Sequence, residues 1–283
     1  MQIDRLDSTG ILLTKGELDE VTGSAVSANG TVYRAASFDE VTISPVSGGL
    51  AKRVHANGLI QVANYFDDYT LNALVTSGLV SYIDALNYPG SGTTIPDVSG
   101  YGNDATIVGA NYYSSSPTYF EFPSDGTNIR LGTVVNRNAY TKCVAFYLNN
   151  YGSDNFLSGR NSTGHAFWMG GTAYLQAGHN GDFGGSWTTV SGSTLITLNQ
   201  WHFGCVTFSN TTGWKLYLNG VEDGSNSDTG TFYGSDPGDA ELGGYEDGNY
   251  LNGRIGLGLV YNRALDAGEI STIFESIRGR FGI

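Results

Sequence analysis

Tyr250-Leu251-Asn252-Gly253-Arg254-Ile255-Gly256-Leu257-Gly258-Leu259-Val260-Tyr261-Asn262-Arg263-Ala264-Leu265, followed by Asp266-Ala267-Gly268-Glu269-Ile270, reads as a turn, a strand and the start of a helix. Ile255, Leu257, Leu259 and Tyr261 alternate with Arg254, Gly256, Gly258 and Val260. One face of the strand is therefore expected to be apolar and the other small or polar, as in a sheet packed on one side. Asp266 can cap a helix, with Glu269 three residues on, and Ile270, Ile273, Phe274 and Ile277 recur on one helical face. Gly279 is a natural stop, so the helix is expected over about residues 267–277.

This wording resembles the closing strand and short helix of concanavalin A-like jelly rolls of the laminin G-like family, where the phrase NGxIxxxxxYNRALSxxEI is usual. The segments Trp201-His202-Phe203-Gly204-Cys205-Val206-Thr207-Phe208 and Trp214-Lys215-Leu216-Tyr217-Leu218-Asn219-Gly220 are similar to that family's WHxVxVTFxxGxxKLYxNGxxxGS strand and hairpin. Leu79 to Ala85, with the loop from Tyr88 to Ala105, is similar to the YLDAxNxxSYPGSGTTWxDLSGNGNxGTL opening of phage-borne members, with Ile95-Pro96 where an aromatic is common. The resemblance covers residues 79 to 277, ~70% of the chain. The final Ile277-Arg278-Gly279-Arg280-Phe281-Gly282-Ile283 also resembles the tail of such domains in structural proteins of tailed phages, notably those infecting marine bacteria. It implies an all-β fold: a two-sheet antiparallel jelly-roll sandwich with one short C-terminal helix.

The residues between these motifs read the same way. Strand signals recur with Gly, Asn and Asp between them, as in a two-sheet sandwich. Tyr140 to Leu148 places Val144, Phe146 and Leu148 on one face and Cys143 on the other. Trp214, Leu216 and Leu218 share a face, and Asn219-Gly220 closes their hairpin. Phe156 to Ser158, His165 to Met169 and Ala173 to Ala177 supply three more short strands.

Composition agrees: 41 Gly, 18 Tyr and 13 Phe among 283 residues, with few helix-forming runs. A net charge of −13 argues against nucleic acid, an anionic membrane or a sulfated polysaccharide as partner, since each is repelled at long range. The N-terminal Met1-Gln2-Ile3-Asp4-Arg5-Leu6-Asp7 has early acids and no apolar core, unlike a signal peptide. No run approaches the ~18 apolar residues of a membrane helix. Cys143 and Cys205 lie in separate strands without metal-ligand spacing, so free buried thiols are expected, with a cross-strand disulfide as the alternative.

Ahead of this domain one phrase occurs three times, at Gly10 to Thr22, Gly30 to Thr42 and Gly58 to Thr70, with offsets of 20 and then 28 residues. Ala28-Asn29-Gly30 and Ala56-Asn57-Gly58 lead into the second and third copies, and Asn-Gly between alternating segments favours a two-residue type I′ turn. Residues 1–73 are therefore expected to form a β-hairpin-repeat module, with Leu50 to Ala56 pairing back on Leu59 to Tyr65, and residues 74–283 the jelly roll. The acid pairs that end each copy solvate a turn or, less simply, ligate calcium. Isolated hairpins are marginal, so the module is expected to bury itself against the jelly roll, sister chains or a larger assembly, with Phe38, Asp39, Phe66 and Asp67 as candidates for docking on a virion and a plain N-terminal extension of the sandwich as the alternative.

Catalytic chemistry is hard to find. A retaining glycosidase needs two carboxylates flanking the scissile bond, and related jelly rolls carry them in a Glu-x-Asp arrangement on one strand. Glu241 is followed by Leu242-Gly243, and Glu246-Asp247 are adjacent, so no such pair is read and no enzyme is expected. His55, His165, His179 and His202 are scattered without metal spacing, and no nucleophile elbow or phosphate loop occurs. Two loops, His179 to Trp187 and Gly244 to Tyr250, mix carboxylates, amides and rings in the way a sugar site does. Asp182, Trp187, Tyr245, Asp247 and Tyr250 are the glycan candidates; Asp182, Asp239 and Asp247 are the calcium candidates, with no other cofactor expected.

The combined expectation is a structural protein of a tailed-phage virion, a capsid decoration or fibre or a tail appendage, made in the host cytoplasm and displaying the jelly roll outward. Its expected partners are capsid or tail proteins, copies of itself, a trimer included, and host-surface glycans bound with avidity. The alternative is a lectin whose sugar site is its main purpose; a polysaccharide depolymerase is the third.

Overall fold

The computed structural model describes residues 51–54, 60–63, 74–123, 125–152, 154–161, 164–180, 187–245 and 248–283. The chain divides into two units, residues 1–70 and 71–283. In the first, β1 (Ala51–Val54) pairs antiparallel with β2 (Ile60–Ala63), Ala51 opposite Ala63 and Val54 opposite Ile60. A two-residue Asn57-Gly58 turn would place Val54 opposite Gln61, so the hairpin forms in a register one residue away from that expectation. The first two copies of the repeat, and Phe38, Asp39, Phe66 and Asp67, lie outside the described residues.

The second unit is an antiparallel sandwich. Its strands are β3 (Leu79–Asp84), β4 (Thr94–Ile95), β5 (Ala105–Val108), β6 (Asn111–Tyr113), β7 (Tyr119–Phe122), β8 (Asn128–Val135), β9 (Ala139–Leu148), β10 (Asp154–Asn155), β11 (Leu157–Gly159) and β12 (His165–Met169). There follow β13 (Tyr174–Asn180), β14 (Trp187–Leu195), β15 (Trp201–Ser209), β16 (Gly213–Leu218), β17 (Val221–Asn226), β18 (Gly238–Leu242), β19 (Gly253–Tyr261) and the helix α1 (Ala267–Phe281). One layer is the sheet β17-β16-β15-β9-β19-β7-β6, with β3 also on β19. The other combines β11-β18-β8-β5-β4 with β10-β12-β13-β14, joined where the Phe156 amide donates to the Phe167 carbonyl at 2.9 Å.

Between the layers lie Val144, Phe146, Leu148, Trp214, Leu216 and Leu218 from the first, against Phe167, Leu175, Ala177, Ala240 and Leu242 from the second. Alternation put these residues on one face, and the pleat keeps them there. Asn219 and Gly220 both take positive φ, 49° and 79°, as a type I′ turn requires. A lysine also sits in this core: Lys142 is fully buried, its Nζ 3.2 Å from the Leu157 carbonyl and 2.7 Å from His165 Nδ1, and burial pulls its pKa well below the usual range.

The outer face of the first sheet is covered by α1, whose Ile270, Ile273, Phe274, Ile277 and Phe281 pack on Phe203, Tyr217, Leu257, Leu259 and Tyr261. β19 is thus packed on both sides, not one. A register shift between Ile255 and Leu257 turns Ile255 into the inter-sheet core and leaves Leu257, Leu259 and Tyr261 under the helix, while Val260 faces the inter-sheet core. The Asp266–Glu269 capping box is formed, but the helix continues through Gly279 and stops at left-handed Gly282, φ 69°. An interior glycine costs about 1 kcal/mol. The extra turn is held by Phe281, 4.8 Å from the Trp201 ring, and by Arg280, 2.7 Å from the buried Asp84 carboxylate.

Cys143 and Cys205 stand directly opposite each other on β9 and β15, their Cα atoms 4.2 Å apart, and are joined as a disulfide. The sequence suggested two free buried thiols; the antiparallel pairing instead brings the two sulfurs within bonding reach, which the residue spacing alone does not reveal.

Candidate functional site

The outward face of the β10-β12-β13-β14 sheet carries a group of aromatic rings. On β12, His165, Phe167 and Met169 are buried inward, so Ala166 and Trp168 face out. The register sets three cross-strand rows: Trp168 beside Gln176 and Ser191, Ala166 beside Gly178 and Thr189, and Asn180 beside Trp187. Trp168 and Trp187 lie diagonally on either side of the middle row, and their rings meet above it, centroids 6.3 Å apart at 84°. That row must be low for the rings to meet. Beside Thr189 it holds only an alanine and a glycine, and a Cβ at Gly178 would run into the Thr188 carbonyl oxygen.

Tyr245 reaches the same cluster from the segment that follows β18, its ring 5.8 Å from Trp187 at 77°. It is placed by a short hairpin in which Tyr245 and Gly248 exchange both backbone hydrogen bonds, at 2.9 and 2.8 Å. The base of that hairpin is pinned by Leu251 N–H to Gly243 O at 2.9 Å, by Gly243 N–H to Phe156 O at 3.1 Å, and by the Asn155 side-chain amide to Asn249 O at 3.1 Å. Gly243 takes φ 80°, and any Cβ there would strike the Phe122 ring, so the hairpin leaves β18 along one course.

The two sugar-site loops are therefore brought together. Trp187, 39% exposed, sits at the centre, with Tyr245 and Trp168 half-buried on its flanks. Tyr250 lies at the foot of the hairpin beside Gly244. Asp182 and Asp247 lie outside the described residues. His179 and Asn180 belong to β13 and Trp187 opens β14, while residues 181–186 between them lie outside the described residues. Trp168 was not among the candidates from sequence; its outward position alternating with Phe167 and Met169 was the available signal.

Asp239 is on β18, half-buried, where its carboxylate accepts from the Asn161 side-chain amide. Among the described residues no group of three or more His, Cys, Asp or Glu is placed to hold a metal ion. Asp239 and Glu241 do alternate on β18, with Ala240 and Leu242 turned into the core between and after them. Reading forward from Glu241 had missed that spacing. Glu241 is 0% exposed and ion-paired to Arg160 Nε at 3.4 Å, in the wall of the sheet. The histidines are packing residues: His179 lies among Phe208, Trp214 and Phe232, its Nε2 against the Gly230 carbonyl, and burial lowers its pKa to about 4. His55 lies outside the described residues.

A second aromatic row crosses the outer face of the first sheet beyond α1. Glu121, Arg254, Tyr147 and Trp201 stand opposite one another across four strands, with the Arg254 guanidinium 4.9 Å from the Tyr119 ring and 4.6 Å from the Tyr147 ring.

A family model described as "Concanavalin A-like lectin/glucanases superfamily" matches residues 114–271. No curated protein matches the sequence. Among solved structures, domain 4 of AbnA, an extracellular GH43 arabinanase of Geobacillus stearothermophilus in complex with arabinotriose, is similar at TM-score 0.55 and 18% identity, over 70% of this chain and 98% of that one. The binding domain of botulinum neurotoxin DC in complex with rat synaptotagmin II is similar at TM-score 0.58 and 14% identity, over 72% of this chain and 52% of that one. Trypanosoma rangeli sialidase is similar at TM-score 0.54 and 16% identity, over 74% of this chain and 34% of that one. The chain thus spans about half of the neurotoxin domain and a third of the sialidase. Likeness at these identities is likeness of fold.

Proposed function

This chain belongs to the concanavalin A-like lectin/glucanases superfamily, and on that premise we propose that it is a non-catalytic carbohydrate-binding protein whose site is the Trp168–Trp187–Tyr245 cluster. The observation that carries the reading is the convergence of two rings from one sheet and a third from the hairpin after β18, with amides and hydroxyls of Gln176, Asn180 and Ser191 in the adjacent rows. Sugars offer apolar C–H faces to rings and hydroxyls to such groups. The arabinotriose complex of the similar arabinanase domain supports this by analogy of fold only. That Glu241 is enclosed and engaged by Arg160 favours binding over hydrolysis, because a general acid or base must reach its substrate.

A glycan array probed with the full chain and with Trp187→Ala tests it. Binding to at least one glycan that the variant loses is expected; equal binding by both proteins would move the site elsewhere. Release of reducing sugar by the wild type, abolished in Asp239→Asn, would replace binding with hydrolysis.

We propose further that the domain is displayed on a tailed-phage virion, with residues 1–73 as its anchor to capsid or tail protein. The threefold phrase at the start of the chain, one copy of which begins with the β1–β2 hairpin's second strand, favours this second reading. Imaging of purified virions should find the chain with those residues against another virion protein. Particles lacking it would leave the lectin reading standing alone.

A further inference from the structure

We infer that the ligand of this cluster is a neutral, soluble, flexible glycan chain rather than a crystalline polysaccharide surface or a polyanion; the inference rests on the carbohydrate-binding reading above. Its basis is the angle between the rings. A flat crystalline array of sugar faces can be matched only by rings lying in one plane. Here Trp187 stands at 84° to Trp168 and at 77° to Tyr245, so no ring is coplanar with its neighbour. Perpendicular rings form a corner. One sugar residue can lie on one ring face with its edge against the next, and the following residue must turn to leave, which a flexible soluble chain does and a packed crystal face does not.

The corner is also held against flattening. Trp168 and Trp187 arise from strands on either side of β13, and the low row of Ala166 and Gly178 lets them close over it. Tyr245 is fixed by its hairpin through the backbone bonds at Gly243, Gly248 and Leu251.

Charge favours a neutral ligand. The net charge of −13 repels uronate-rich or sulfated chains at long range. The polar groups in the cluster's own rows, Gln176, Asn180, Thr189 and Ser191, are neutral, and Gln176 Nε2 donates to Ser191 Oγ at 3.0 Å. Cation–ring contacts among the described residues fall on Tyr119, Tyr140, Tyr147, Phe274 and Phe281, none of them in this cluster. Arg160 is already turned to Glu241. Neutral amides and hydroxyls suit sugar hydroxyls, which both donate and accept.

The test is a partition experiment with the full chain. Its probes are four soluble neutral polysaccharides (an arabinan, a mannan, a dextran and a xyloglucan), microcrystalline cellulose and chitin, and two polyanions (alginate and heparin). Retardation by at least one soluble neutral polymer is expected, with no measurable adsorption to the crystalline solids and no preference for the polyanions. Trp187→Ala should weaken that binding at least ~tenfold, a change of ~1.4 kcal/mol. Arg254→Ala, on the opposite layer, should retain it, and unchanged thermal melting of both variants shows that they fold. Adsorption to cellulose or chitin stronger than to any soluble polymer, or preference for a polyanion, would overturn this inference while leaving carbohydrate binding intact. Retention by none of the probes, with no hit on a glycan array, would overturn both.

Discussion

Lowering the pH should destabilise this sandwich through its buried histidines, and His179 gives the effect a size. Its ring is 1% exposed, and its Nε2 meets the Gly230 carbonyl. Burial lowers its pKa from 6.5 to about 4, with Lys142 and Arg137 adding to the shift and the Gly230 contact and Asp228 opposing it. The folded state therefore binds the proton less readily than the unfolded chain, so stability is lost as pH falls from 6.5 and the loss is complete below about 4. That difference sets a ceiling of about 3 kcal/mol, most of which should have gone between pH 7 and pH 4. His165 and His202 are also lowered by burial and act in the same direction, so a variant is needed to isolate one residue. His179→Phe keeps the ring among Phe208, Trp214 and Phe232 while removing the titration. Urea unfolding of both proteins at pH 7 and pH 4 measures the difference. The wild type should lose about 3 kcal/mol more than the variant over that interval; equal losses would refute the assignment. Because Asn180, the next residue, pairs with Trp187, glycan binding should weaken over the same range.

Other consequences follow from particular contacts. Arg280→Ala should cost about 3 kcal/mol in urea unfolding, since it leaves the 2%-exposed Asp84 without its ion-pair partner; a change within the scatter of surface variants would show that α1 is held by its apolar face alone. Gly243→Ala should lower both stability and glycan affinity, because the residue's φ of 80° and the Phe122 ring leave no room for a methyl group; unaltered affinity would mean that the hairpin does not place Tyr245. Thiol labelling of the denatured, unreduced protein should find neither Cys143 nor Cys205 free, and with 62 residues between them reduction should cost up to about 4 kcal/mol by loop closure. Arg254→Ala, on the opposite layer, should leave glycan binding unchanged; loss of binding would move the site to the Tyr119–Arg254–Tyr147 row.

Much of the sandwich could be read from residue alternation, because a strand's period of two is fixed by the backbone. Val144, Phe146 and Leu148 against Cys143, and Trp214, Leu216 and Leu218 closed by Asn219-Gly220, came through in place. The disagreements are where tertiary contacts outweigh a local signal. At Gly256 a shift in pairing splits an alternation that looked continuous. Gly279 would end an isolated helix, but Phe281 and Arg280 have partners that carry α1 one turn further. Lys142 is a charge-bearing residue in the core, tolerated because the Leu157 carbonyl and His165 take its amine. The candidate site was half legible. Trp187 and Tyr245 were named from the mixture of rings and polar groups in two separate loops, yet their meeting, and the part played by Trp168, depend on strand pairing that no local stretch encodes.

The central claim is that sugar is held at the Trp168–Trp187–Tyr245 corner, and the chain's four tryptophans allow one direct measurement. Trp201 and Trp214 are buried in other parts of the fold, 9% and 1% exposed, and serve as internal controls. Indole N–H resonances of the four should be followed by NMR while a glycan identified on the array is titrated in. Saturable shifts at Trp168 and Trp187, with Trp201 and Trp214 unmoved, are the predicted result. Binding that shifts Trp201 or Trp214 and leaves Trp168 and Trp187 in place would contradict it.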